Sequence, residues 1–87
     1  MSAETTAMRA RVPKLRAEAA AANSAAFAAD QAHQTALFEY QLDRTPAKRQ
    51  AAKSARLKSE AARKRSALAT RELKSLRIRL RKRGVAA

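Results

Sequence analysis

The first half of the chain carries a long run of small apolar residues at alternating three- and four-residue spacing. The run has ten positions, half of them Ala, and only His33 is neither apolar nor aromatic. Spacing of this kind, sustained over more than four heptads, predicts a long helix with one packing face on which a second helix can approach closely. The positions are Met8, Val12, Leu15, Ala19, Ala22, Ala26, Ala29, His33, Ala36 and Tyr40.

Helix-breaking residues are scarce, so their positions predict the helix ends. The chain has one Gly and two Pro. Pro13 precedes the Ala-rich run and is predicted to lie near the first turn of a helix. Thr45 and Pro46 have the residue types of an N-cap and a first helical position, and Gly84 follows three basic residues, as at a helix C-terminus.

We therefore predict an all-α fold of two long helices, residues 13–43 and 46–83. An N-terminal arm or short extra helix (1–12) precedes them, and a C-terminal tail (84–87) follows. The short joint favours an antiparallel αα-hairpin with coiled-coil-like packing. A single long helix kinked at Pro46 is the alternative.

The second helix is predicted to have an apolar stripe that completes the packing seam with the first. Lys58 and Arg65 lie near the margin of this stripe, where their aliphatic stems can lie along it. The stripe consists of Ala51, Ala55, Ala62, Ala69, Leu73, Leu76 and Leu80.

Positive charge is concentrated in the second half of the chain. Residues 44–87 hold 16 Lys and Arg against two Glu, a net charge of +14, whereas residues 1–43 hold four basic and five acidic residues, a net charge of −1. Two Glu are too few to pair with so many cations, which predicts a polyanionic partner. Nine cations share about 100° of the second helix and form what we call the basic ridge: Arg49, Lys53, Arg56, Arg63, Lys64, Arg71, Lys74, Arg81 and Lys82.

These features predict a small nucleic-acid-binding protein that contacts the phosphate backbone without strong sequence specificity. The basic half contains no aromatic residue on which bases could stack. The choice between DNA and RNA stays open. The alternative is a structural subunit of a virion, ribosome or other assembly, whose basic helix docks on an acidic surface. Contact with an anionic membrane surface, or a role in solubility alone, is also compatible with the charge.

Two aromatic residues, Phe27 and Phe38, project from nearly the opposite side of the first helix and lie off the seam. We expect them to face a partner, although singly exposed Phe residues are also tolerated in proteins. A chain of 87 residues with an Ala-rich seam buries little apolar area. We therefore expect a homo-oligomer or a subunit of a larger assembly.

One segment resembles a known family. Residues 59–65, followed by Leu73 and Leu80, look like the basic region and zipper start of a bZIP factor. Lys58 occupies the position of that family's base-reading Asn, and Ser66 that of its late Arg. Two leucines are also too few for a zipper, so we do not expect a bZIP protein.

The sequence offers little for catalysis. His33 is the only histidine, and we interpret it as a polar seam position that sets register rather than as a catalytic group. Asp30 and His33 form a lone pair without metal-site spacing. We expect a non-enzyme with no cofactor and no metal. The longest apolar run, Ala19–Ala22, is far too short for a membrane span, and we expect a cytoplasmic location or one within a nucleoprotein or virion assembly.

Overall fold

A computed structural model describes residues 2–85 as two helices, α1 (Ala3–Leu42) and α2 (Pro46–Lys82), packed against each other along their length. The pair measures 62 × 15 × 13 Å. Forty residues of helix at about 1.5 Å each span about 60 Å, so α1 runs the full length of the rod. The predicted all-α helical hairpin is confirmed, and the alternative of one kinked helix is wrong.

The prediction of a separate arm over residues 1–12 is wrong for the described part of that segment, because α1 begins at Ala3 and passes through Pro13. Ser2 caps the helix, its hydroxyl accepting a hydrogen bond from the Thr5 backbone N–H at 3.1 Å. Met8 and Val12 are buried in the core. Burying two such side chains contributes about 3–6 kcal/mol, which offsets the roughly 3 kcal/mol cost of an interior proline.

Both ends of α2 lie where the sequence predicts them. The Thr45 hydroxyl accepts a hydrogen bond from the Lys48 backbone N–H at 3.2 Å, and Pro46 occupies the first turn. At the other end, Gly84 adopts a φ of +76°. The backbone N–H groups of Gly84 and Val85 bond to the carbonyls of Arg81 and Leu80, each at 3.0 Å. This pattern is a Schellman motif, which requires the left-handed conformation that glycine adopts most easily.

The interface between the helices follows a continuous three-four repeat on both. In α1 it contains Thr5 and the ten predicted seam positions, all buried or partly buried. In α2 it begins at Thr45 and includes Ala52, Ser59 and Ser66 among its members, whereas Ala51 is exposed. The full α2 set is Thr45, Lys48, Ala52, Ala55, Ser59, Ala62, Ser66, Ala69, Leu73, Leu76 and Leu80.

The bulky part of the core lies at the end of the rod that holds both termini. Leu76 and Leu80 are 1% and 0% exposed. Leu73 and Leu80, which gave the zipper-like spacing, pack within the chain instead. Their partners in this leucine cluster are Met8, Val12, Leu15, Ala19 and Leu76, with Ala69 and Val85 at its margin.

Polar contacts replace bulky packing in the middle of the rod. The Ser59 hydroxyl donates a hydrogen bond to the Asp30 carboxylate, and the Ser66 hydroxyl donates to the side-chain oxygen of Asn23. Ser59 is almost fully buried, so its hydroxyl needs this partner. Each bond is satisfied in one helix alignment only, and together they favour the observed register.

Candidate nucleic-acid interface

The basic ridge lies on the solvent-exposed surface of α2, and all nine of its residues are exposed. Within residues 2–85, one ridge cation forms an ion pair: Arg63 Nη2 lies 2.7 Å from Asp30 Oδ1. The other eight have no carboxylate within 4.0 Å in that part of the chain. Most of the ridge is therefore uncompensated positive charge.

The remaining ion pairs of the described residues join α1 to the other half of the hairpin, one pair at each end of the rod. Lys48 Nζ lies 3.3 Å from Glu39 Oε2 beside the turn, and Arg83 Nη2 lies 3.1 Å from Glu4 Oε1 at the terminal end. Arg83 also donates to the Thr5 hydroxyl at 3.0 Å. Such exposed pairs contribute about 0–1 kcal/mol each. The acidic residues of α1 are thus used mainly outside the ridge.

The ridge has a regular spacing because it follows the heptads of α2. Arg49, Arg56 and Arg63 each come directly after an interface residue and recur every seven residues, about 10.5 Å apart. From residue 49 to residue 82 the ridge spans roughly 50 Å. The cations therefore form a line that is almost as long as the molecule.

Cationic residues also occupy the other edge of α2, which widens the basic surface beyond the predicted arc. Lys58 and Arg65, expected at the margin of the apolar stripe, are exposed, and so is Arg79. Arg77, which shares the heptad position of Arg49 and Arg63 on the ridge side, is partly buried, and its Nε atom has no hydrogen-bond partner within residues 2–85. A partner can therefore meet cations on more than one side of α2.

An aromatic side chain lies beside the ridge, although the sequence of the basic half contains none. Tyr40, predicted only as a seam residue, lines two adjoining clefts near the turn, of about 410 and 360 Å³. The Arg44 guanidinium carbon lies 5.7 Å from the centre of the Tyr40 ring. We call the two clefts together the turn-end groove; their lining comprises His33, Leu37, Tyr40, Arg44, Thr45, Pro46, Arg49, Gln50, Ala52, Lys53 and Arg56.

Sequence reasoning missed this groove, although a signal for it exists. The three-residue joint folds the chain back on itself, so residues at similar distances on either side of the joint become neighbours. Tyr40 precedes the joint by a few residues, and Arg49 follows it by a few residues. The predicted hairpin therefore already implies that the ring of Tyr40 lies next to the basic helix, a consequence that was not drawn from the sequence.

The charge state of Asp30 is set by its two contacts. The hydrogen bond from Ser59, followed by the hydrogen bond from Arg63, lowers the pKa of Asp30 below its ordinary value of 3.8. The carboxylate is therefore ionised near neutral pH and neutralises Arg63, the one ridge cation that faces it.

Both predicted partner-facing residues are exposed on α1. Phe27 is 68% exposed, Phe38 is 60% exposed, and the nearby Leu42 is 73% exposed. On α2, Leu57, Leu68 and Ile78 are also exposed between the cations. The apolar surface is thus divided between the outer sides of both helices.

Comparisons of the chain with protein-family models, with curated proteins and with solved structures gave no match. Across residues 2–85, neither α1 nor α2 contains a sufficiently long apolar stretch for a bilayer span. Over the same residues, no three His, Asp or Glu side chains are grouped in a way that would hold a metal ion. Function is therefore inferred from the surface of the hairpin.

Proposed function

We propose that this protein binds nucleic acid through the phosphate backbone, without strong sequence specificity. The observation that carries the proposal is the line of eight exposed ridge cations, which have no carboxylate partner within residues 2–85 and lie along roughly 50 Å of helix. Like charges at four-residue spacing, such as Arg49 and Lys53, destabilise an isolated helix. Phosphates placed along the ridge would remove that repulsion.

The composition of α2 favours contact with the backbone over reading of bases. Sequence-specific proteins read base edges with Asn, Gln and Arg at defined points of an element that fits a groove. Gln50 is the only amide side chain in α2, and it lies next to the turn. Lys and Arg on phosphates displace condensed counterions, so affinity should fall steeply with salt.

The test is titration of a labelled 30-base-pair duplex by fluorescence anisotropy over a series of salt concentrations. A triple reversal, Lys64→Glu, Arg71→Glu and Lys74→Glu, removes three exposed ridge cations that form no ion pair with any other residue of the described part, 2–85. We expect this variant to bind all duplex sequences more weakly and to lower the slope of log affinity against log salt by roughly three.

A matched control makes the same change of charge on α1. The variant Arg9→Glu, Lys14→Glu, Arg16→Glu also replaces three exposed cations. It should bind more tightly than the ridge variant, because its changes lie off the ridge. Equal loss in the two variants would mean that net charge alone drives binding. Absence of binding at low salt, or binding independent of salt, would refute the proposal.

A second role is favoured by the exposed aromatic residues of α1. We propose that Phe27 and Phe38 contact a further protein subunit of an assembly. In such an assembly α2 would contact an acidic protein surface or nucleic acid. Sedimentation of the purified chain should then reveal self-association or aggregation, and Phe27→Gln with Phe38→Gln should reduce it. The control, Leu57→Gln with Leu68→Gln, changes exposed residues of α2 instead. A monodisperse wild-type monomer would count against this role.

A further inference from the structure

The turn-end groove combines an aromatic ring with a high local density of cations. Its two clefts adjoin because both are lined by Tyr40, Arg49 and Lys53. Their volumes of about 410 and 360 Å³ lie within the range of roughly 300–1,000 Å³ that is typical of ligand sites. Four of the lining residues are Lys or Arg, and none is acidic.

From this combination we propose that the groove binds an unpaired, single-stranded segment of nucleic acid. One base stacks on the ring of Tyr40, and the adjoining phosphates contact Arg49, Lys53 and Arg56. The inference rests on the proposed nucleic-acid binding and deepens it. It assigns one end of the ridge to single-stranded nucleic acid.

The contact between Arg44 and Tyr40 supports stacking at this point. A flat cationic group already lies over the ring, at 5.7 Å from its centre, so the ring face accepts a planar partner. An exposed cation–π contact is weaker than a base–aromatic stack. A base can therefore replace the guanidinium and leave Arg44, in the joint next to Thr45, to contact a phosphate.

The groove favours a single strand over a duplex because a paired base presents only its edges, while its faces are stacked on neighbouring bases. Stacking on Tyr40 requires a free face, which single strands offer. Arg56 borders the groove and Arg63 follows it one heptad along the ridge. A strand anchored at Tyr40 would thus continue directly onto the basic ridge.

The chain provides its own spectroscopic probe, because Tyr40 is the only Tyr and there is no Trp. Titration with a 12-nucleotide single strand should quench Tyr40 emission, after correction for absorbance with free tyrosine amide. A blunt duplex of the same sequence should bind the ridge and leave the emission largely unchanged. Unchanged emission at saturation with the single strand would overturn the inference.

Two substitutions test the stacking contact by anisotropy with labelled single strand. Tyr40→Leu keeps an apolar side chain at this seam position and should weaken single-strand binding roughly 5- to 100-fold, the range expected for loss of one base–aromatic stack. Tyr40→Phe retains an aromatic face and should remain within about twofold of wild type. If Tyr40→Leu fails to fold, the emission titration of the wild-type protein decides. Duplex affinity should be the same for all three proteins.

The outcomes separate the inference from the function on which it rests. Duplex binding that depends on the ridge, together with single-strand binding that is insensitive to Tyr40→Leu, would overturn the groove assignment and leave the proposed function intact. Failure of both nucleic acids to bind at low salt would overturn both.

Discussion

The two ends of this hairpin differ in the side chains that pack between the helices. At the terminal end, Leu76 and Leu80 are buried against Met8 and Leu15 in the leucine cluster. Toward the turn, the interface consists mostly of Ala and polar residues, His33 and Lys48 among them, and the largest side chain there is Tyr40, which is only partly buried. The fold is stabilised mainly at one end, whereas the turn-end groove lies at the other.

Because the leucine cluster lies far from the turn, forming it costs chain entropy during folding. Leu15 and Leu76 are 61 residues apart in the sequence, so packing them in one cluster closes a long loop. The entropy lost on closure grows only slowly with loop length, which leaves burial of leucine large enough to offset it. The turn half closes short loops and therefore needs less apolar area. The contrast shows why weak Ala packing suffices where the candidate groove lies.

The largest effect is expected from removing a leucine from the cluster. Leu76→Ala should lower the free energy of unfolding by about 2–5 kcal/mol, because Leu76 is 1% exposed. For so small a protein, this change is expected to unfold much of the population. Urea titration followed by circular dichroism measures it. Leu57→Ala, at an exposed position, is the control and should change stability by about 0.5 kcal/mol or less.

A smaller effect is expected from enlarging a side chain in the Ala half. Ala62 is buried between the helices, so Ala62→Leu should force them apart and cost about 1–3 kcal/mol. Ala61→Leu adds the same atoms at the neighbouring exposed position and should be nearly neutral. Thermal melts of both variants make the comparison. If Ala62→Leu is stabilising, the interface is looser here than its burial indicates.

The smallest effect concerns the polar contacts of Asp30 and depends on pH. The pKa of Asp30 is lowered in the folded state, first by Ser59 and then by Arg63, so its contribution to stability is present above pH 3.8 and is lost as the pH falls through the folded pKa. Asp30→Asn should therefore reduce the melting temperature near pH 7 and differ less from wild type near pH 2. A difference that stays constant from pH 7 to pH 2 would contradict this assignment.

Local signals in the sequence predicted most of α2 and the joint. Thr45 with Pro46 marked the start, and Gly84 marked the end, because each acts on the backbone next to it. Pro13 misled for the opposite reason: its local effect is outweighed by burial of Met8 and Val12 against residues about 60–70 positions away. No local pattern contains that information.

The candidate site, too, was predicted from the sequence only in part. Exposure of the basic ridge follows from its position outside the seam, but the lack of carboxylate partners for most of it among residues 2–85 could be seen only in the structure. Ser59 was not predicted at the interface because an apolar pattern excludes a hydroxyl, and its partner Asp30 becomes visible only when the helices are aligned. The turn-end groove likewise depends on contact between the helices. Nucleic-acid binding stays a prediction.

The cap at Gly84 and the contact of Arg83 with Glu4 place residues 2 and 85 at the same end of the rod, next to the leucine cluster. A mechanical load applied through these two points would pull the two helices apart at that end and act on the leucine cluster first. Once it ruptured, the remaining alanine pairs would offer little resistance, so the hairpin should open in one abrupt step.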